Sequence, residues 1–283
     1  MATEQGGHSG LHVEFAPAKI NLTLHVTGQR DDGYHLLDSL VVFADIGDRL
    51  HLALSDAPCL TVSGPMAAGV PLGDDNLVLR AARAVGLCMD IRLEKHLPAA
   101  AGIGGGSSDA AAVLRGAVAL AQGQALPQDA GLSLGADVPV CLTARAARMS
   151  GIGEIVTPIA GLPPLHAVLV NPGVAVSTAH IFRSLARKDN PPMPAHLPVW
   201  RDAAALAAWL RGQRNDMQPA AIAQAPVVGE VIAAIEATDD CLLARMSGSG
   251  ATCFGLYPDA ASAEAAQQRL ARPDWWVHAV RLT

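Results

Sequence analysis

The segment Gly102-Ile-Gly-Gly-Gly-Ser-Ser-Asp109 combines the residue types that a phosphate loop needs. Unpaired backbone amides at a helix N-terminus hold polyphosphate, and the helix dipole there favours negative charge. Glycine is required where the backbone must approach phosphate with no Cβ in the way. Gly102, Gly104, Gly105 and Gly106 meet that requirement, and the hydroxyls of Ser107 and Ser108 add donors to phosphate or a hold on magnesium. The pattern is not G-x-x-x-x-G-K-[ST], because no lysine follows the glycines. It is not the dinucleotide fingerprint G-x-G-x-x-G either, because Ser107 takes the last position. A tight structural turn is the competing reading of the loop taken alone.

Other segments carry reactive side chains. Asp137 sits between Gly135-Ala136 and Val138-Pro139, an apolar stretch in which a lone carboxylate calls for a partner. A helix-cap or turn aspartate is the alternative. From Lys19 to Val26 polar and apolar residues alternate, the period of a half-buried strand, so Lys19 and Asn21 share one face. Ser247-Gly248-Ser249-Gly250 reads as a glycine turn between two strands. The histidines offer no metal site: H-E-x-x-H is absent, and the i, i+4 pair His8 and His12 falls at the N-terminus.

The elements that must position these residues follow from periodicity and punctuation. Strand-like runs lie at Leu40–Ile46, Arg49–Leu54, Leu60–Ser63 and Asp90–Lys95, with a turn at 28–33. Asp75 and Asn76 start a helix that Gly86 stops. Ser107, Ser108 and Asp109 provide caps for an alanine-rich helix running to about Ala121. Residues 149–155 form a hairpin turning on Gly151 and Gly153. Pro158, Gly161, Pro163 and Pro164 mark the best boundary in the chain. Beyond it come a strand at Ala167–Val170, helices near Thr178–Arg187, Ala203–Arg211 and Val227–Ala237, strands at Leu242–Met246 and Thr252–Tyr257, a helix at Ala260–Leu270 and a strand at Trp276–Leu282. Irregular alternation in both halves predicts two α+β domains, 11–160 and 161–283, after a flexible lead-in over 1–10.

Bulk properties narrow the function classes. In 283 residues, 51% are apolar and only 4% aromatic, enough for a large aliphatic core without disulfides. Mean hydropathy is +0.28, yet every apolar run is broken before the ~18–20 residues a membrane span needs. A net charge of −6 argues against a nucleic-acid binder. Five scattered cysteines with no C-x-x-C suit reduced thiols, and residues 1–10 have neither a basic nor an apolar stretch, so a cytoplasmic protein is expected.

Three pieces, Pro17-Ala-Lys-Ile-Asn-Leu22, Pro98-Ala-Ala-Ala-Gly-Ile-Gly-Gly-Gly-Ser-Ser108 and Met246-Ser-Gly-Ser-Gly-Ala251, together resemble the GHMP small-molecule kinases in order and spacing. Gly28-Gln-Arg-Asp-Asp-Gly-Tyr-His35, Gly135-Ala-Asp-Val-Pro139 and Asn171-Pro-Gly-Val174 resemble the branch that acts on a cytidine diphosphate derivative. One departure is Ala99-Ala100-Ala101, where family members carry more glycine. The resemblance implies an α+β kinase whose N-terminal domain is ribosomal-S5-domain-2-like and whose C-terminal domain is ferredoxin-like, acting as a monomer or homodimer on a small molecule, with ATP as phosphoryl donor and Mg²⁺ arriving with it.

Residue by residue, the resemblance makes Asp137 the base and Lys19 its cationic partner. The stretch Pro98, Ala99, Ala100, Ala101, Gly102, Ile103, Gly104, Gly105, Gly106, Ser107 and Ser108 would take the ATP phosphates, with Asn76 and Lys95 on the adenine side. Asn21 would bond substrate hydroxyls, and Gly248 and Ser249 would meet the polyol end. Tyr34 would stack on one face of cytosine, His35 would bond its edge and Phe182 would cover the other face. Phe182 near Leu185 also reads as a core residue, and capping explains Asn76 equally well. A GHMP kinase for another alcohol, or a nucleotide-binding regulator without catalysis, is the alternative reading of the whole chain.

Overall fold

The computed structural model describes residues 10–121, 126, 129 and 131–283. The expected lead-in over 1–10 and His8 therefore lie, apart from Gly10, outside the described residues. Strands β1 (His12–Asn21), β2 (His25–Gln29), β3 (His35–Leu54) and β4 (Cys59–Ser63) come first. Helix α1 (Leu77–Ala84), strand β5 (Met89–Glu94) and helices α2 (Gly105–Leu120) and α3 (Val138–Thr143) follow. Strands β6 (Ala147–Gly151), β7 (Ile155–Pro158) and β8 (Leu165–Asn171) lead to helices α4 (Thr178–Arg183), α5 (Ala203–Arg211), α6 (Gln218–Gln224) and α7 (Val227–Glu236). The chain closes with β9 (Leu243–Met246), β10 (Cys253–Tyr257), α8 (Ala260–Leu270) and β11 (Trp276–Leu282).

The long strand β3 is the spine of the sheet. It pairs antiparallel with β1, β2, β5, β6 and, at its Ala44, with Leu282 of β11. From there the order runs β11-β8-β10-β9, while β4 lies parallel to β5 on the other side. Sequence periodicity breaks β3 in two at Gly47-Asp48, but the strand is continuous. Ala16 O lies 2.3 Å from where a Gly47 Cβ would be, so glycine permits the close strand approach. Asp48 is buried and accepts from the backbone N–H groups of His96 and Leu97, at 2.6 and 2.9 Å.

The first strand differs from expectation in two ways. It starts at His12, and Thr23 interrupts it, because the Thr23 hydroxyl accepts from Leu40 N (2.8 Å) in place of a ladder carbonyl. It is also buried on both faces rather than half-buried: Lys19, Asn21, Thr23 and His25 are all nearly inaccessible. The C-terminal half covers that polar face, with Asn21 N donating to Ser247 Oγ (3.1 Å) and Arg245 Nη1 to Leu22 O (2.8 Å). Helix α4 stops at Arg183, short of Arg187, and the short helix α6, with Pro219 in its first turn, has no periodic signature in the sequence. Helix α2 packs its alanine-rich buried face on β1 and on α1. Among the described residues no helix is long and apolar enough to cross a membrane.

Candidate active site

The glycine loop is shaped by positive φ angles at Gly102 (73°) and Gly104 (65°), the latter being the N-cap of α2. Ser107, Ser108 and Asp109 were expected to cap that helix, but they lie inside its first turns. Ser108 is buried and donates from Oγ to Pro17 O (2.8 Å), which ties the helix to β1. Lys19 N donates to Ile103 O (2.9 Å), and the Lys19 side chain runs beneath the loop, its Cβ 3.2 Å from where a Gly104 Cβ would be. Gly102 in turn packs against the Ser247–Gly250 turn, whose Ser247 Oγ donates to Gly102 O (3.1 Å). The two glycine segments, nearly 150 residues apart, thus interlock.

That interlock leaves no room for a side chain. A Cβ at Gly102 would sit 2.5 Å from Ser247 O and 2.7 Å from Gly250 N, on a backbone that L-residues rarely adopt. Gly102→Ala is expected to destabilise the protein by about 2–4 kcal/mol through strain and overpacking together, read as a lower urea midpoint with unchanged m-value.

Lys19 Nζ lies 2.7 Å from Asp137 Oδ2. Asp137 occupies the N-cap position of α3, but its carboxylate makes no capping bond and turns to Lys19 instead. The lysine is buried while the carboxylate is about one-third exposed, at 35% of its side chain, so one end of the pair faces an open cleft. Asn21 donates from Nδ2 to Ser39 Oγ (2.8 Å), and its Oδ1 is buried beside that cleft without a partner among the described residues.

The cleft has a volume of about 950 Å³. Gly102, Gly104, Gly105, Gly106 and Ser107 line it near Lys19 and Asp137, as do Ala100 and Ala101. Elsewhere its wall includes Tyr34, His35 and Phe182, with Gly248 and Ser249 from the second glycine turn. The rings of His35 and Phe182 stack on each other at 4.4 Å and 17°. Tyr34 is well exposed, and Phe182 packs in part on the C-terminal core as well. His35 Nε2 is buried with no hydrogen-bond partner among the described residues, and burial, assisted by the charge of Lys188, holds its imidazole below the usual range.

Several expected phosphate-side residues fall outside the cleft wall. Pro98 and Ile103 are buried, and Asn76 caps α1 through Val78 N (2.9 Å) while donating to Pro71 O. Ala99 is exposed away from the cleft. Lys95 is sequestered between Asp48 and Asp109, with the Asp109 contact at 2.8 Å. The departure from a glycine-rich run is visible in the backbone, where Ala100 adopts a left-handed φ of 50°.

The structure also adds residues that sequence reasoning did not single out. Thr178 Oγ1 and Ser249 Oγ share a hydrogen bond (2.7 Å) at the cleft wall. Asn215 donates from Nδ2 to Met246 O and Gly248 O, at 2.7 and 2.9 Å, and so holds the second glycine turn. Arg183 and Lys188 bring positive charge to the same wall. Thr178, Asn215, Arg183 and Lys188 belong to no local motif, and only tertiary contacts reveal them.

Helix N-terminus, glycine loop and ion pair meet in one cleft. Residues 76–145 match the GHMP kinases N terminal domain and residues 195–273 match the GHMP kinases C terminal model, so this is an ATP-dependent small-molecule kinase of the GHMP class. The chain is 66% identical to the 4-diphosphocytidyl-2-C-methyl-D-erythritol kinase of Dinoroseobacter shibae over 93% of its length and 92% of that protein's. It is 59% identical to the protein of the same name from Cereibacter sphaeroides, over 95% and 98%. A crystal structure of 4-(cytidine 5'-diphospho)-2C-methyl-D-erythritol kinase superposes with a TM-score of 0.78 at 34% identity, covering 96% of this chain and 99% of that one. The chain belongs to the 4-diphosphocytidyl-2-C-methyl-D-erythritol kinase family. Homoserine kinase from Cytophaga hutchinsonii, at TM-score 0.64 and 17% identity, shares the fold.

Proposed function

We propose that the protein transfers the γ-phosphoryl group of ATP to the 2-hydroxyl of 4-diphosphocytidyl-2-C-methyl-D-erythritol, giving the 2-phosphate and ADP on the non-mevalonate route to isopentenyl diphosphate. The observation that carries this reading is the Lys19–Asp137 pair at 2.7 Å, open to a cleft that the glycine loop also lines. Asp137 takes the proton of the 2-hydroxyl as that oxygen bonds to the γ-phosphorus and the bond to ADP breaks. Lys19 fixes the carboxylate and offsets charge as it develops on the transferred group. The unpartnered Asn21 Oδ1 accepts from a neighbouring substrate hydroxyl.

The backbone of Gly102 to Ser107 holds the ATP phosphates at the start of α2. Mg²⁺ fits as an ion carried in by ATP: it prefers oxygen donors and shares them with substrate phosphates, and Ser107 and Asp137 offer a hydroxyl and a carboxylate on the cleft wall. Tyr34, His35 and Phe182 receive the cytosine, with the free His35 Nε2 at its polar edge. Gly248 and Ser249 close on the polyol. Residues 11–160 then act as the ATP-binding domain and 161–283 as the domain that covers the acceptor. Exposed free thiols at Cys59 and Cys88 suit a reducing cytoplasm.

A coupled ADP-release assay with ATP, Mg²⁺ and the cytidine diphosphate substrate, followed by phosphorus NMR, tests the reading. A new phosphomonoester on the 2-oxygen is expected. Absence of substrate-dependent ADP release from protein that binds ATP would overturn it.

A further inference from the structure

We propose that Arg183 and Lys188 form a cationic pair that binds the diphosphate of the substrate between its cytosine and its reacting polyol, an assignment that rests on the cytidine diphosphate reading above. The charges of the cleft wall point there. Lys19 is paired with Asp137 at 2.7 Å, and Asp32 is held by Arg30 at 2.6 Å. Arg183 and Lys188 have no carboxylate partner among the described residues; the hydrogen bond of Lys188 goes to neutral Gln29 Oε1 at 3.3 Å. Two uncompensated cations in one cleft match a diphosphate diester, which carries one negative charge on each phosphate.

Position agrees with charge. Arg183 ends α4 directly after Phe182, the ring stacked on His35. Lys188 stands near enough to His35 for its charge to be felt at the imidazole. At the other end of α4, Thr178 is bonded to Ser249 of the second glycine turn. The two cations thus flank the nucleobase end of a wall that continues to the polyol end, where a diphosphate linker has to pass. A guanidinium fork and a mobile ammonium are the standard partners of phosphate oxygens. The protein as a whole carries a net charge of −6, which repels an anionic substrate, so local cations have to supply the attraction.

The pair acts on the substrate's phosphates and on nothing else in the reaction, and competition experiments isolate that. Inhibition constants for CDP and for cytidine, both against the cytidine diphosphate substrate, are measured in wild-type protein and in Arg183→Gln and Lys188→Met. Wild-type protein is expected to prefer CDP to cytidine by about tenfold or more for each charge-assisted bond. Each variant should lose about tenfold of that preference, with cytidine affinity and the KM for ATP unchanged. An unchanged CDP-to-cytidine ratio in both variants overturns the proposal while leaving the substrate assignment intact. A raised KM for ATP with an unchanged ratio also overturns it, by assigning the cations to the nucleotide donor. Failure of both CDP and cytidine to compete in wild-type protein would sink the cytidine diphosphate reading and this assignment with it.

Discussion

Asp137→Asn is expected to lower kcat by about 10²–10⁴-fold, the range that a positioned general base contributes. Asparagine preserves the shape of the side chain but cannot take the proton of the acceptor hydroxyl. Because the proton moves only on the way to the transition state, kcat and kcat/KM should fall together while the KM for ATP stays near its wild-type value. The fold should survive, since Asp137 makes no capping bond to α3 and its carboxylate is partly exposed. Steady-state rates, with circular dichroism as a control for folding, check this. Turnover within a few-fold of wild type would remove Asp137 from the chemistry and leave Lys19 facing a merely structural partner.

Lys95→Met is expected to destabilise the protein by about 3–5 kcal/mol, the usual effect of removing one member of a buried ion cluster. Asp48, Lys95 and Asp109 are almost wholly inaccessible, and they join β3 to the end of β5 and the start of α2. Without the ammonium, two buried carboxylates face each other with no cation. Even in the intact cluster one lysine serves two acids, and Asp109 Oδ1 has no partner among the described residues. Burial pushes the Asp109 carboxyl up to about 7, against the pull of Lys95 and with the help of Asp48. Burial opposes the charge on Lys95, but Asp109 and Asp48 together outweigh it and raise the lysine's pKa.

The pH dependence follows from the proton that Asp109 keeps in the fold. Its ordinary value is 3.8, so between about pH 4 and pH 7 the folded chain binds a proton that the unfolded chain has released. The stabilisation from this group is complete below pH 4 and is lost as pH rises through 7. Lys95→Met should therefore be most damaging near pH 8 and less so near pH 5. Asp109→Asn should flatten the slope over pH 4–7. Urea denaturation of the three proteins at pH 5 and pH 8 measures both effects; a loss for Lys95→Met that does not change with pH would show that the carboxylates are not its cause.

Much of the secondary structure was legible because its signals are local. Helices α5 and α8 and strand β11 begin and end at the bounds expected from the sequence. Asp202 and Asp259 each accept from the backbone N–H three residues on, which is a property of the helix start itself. Where the sequence misled, a distant contact prevailed. Residues on either side of Gly47 join into one strand because Ala16 approaches there, and Ser108 and Asp109 serve β1 and Lys95 rather than the start of α2.

The chain's own sequence determined the chemistry on offer: a glycine loop before an alanine-rich helix, a lysine on a polar strand face, a carboxylate without a neighbour, and two aromatic rings beside a turn. Backbone preferences and burial energies act on each of these within a few residues, so they can be read in order along the chain. Only the tertiary structure decided which of them meet. Lys19 reaches Asp137 across more than a hundred residues, and Gly102 accepts the Ser247–Gly250 turn because neither Gly102 nor Gly248 carries a side chain there. Lys95 is drawn away from the cleft by two buried acids, whereas Arg183 and Lys188 face it with no carboxylate partner among the described residues. Those outcomes depend on Coulomb and packing energies between segments whose separation along the sequence carries no information about their separation in space.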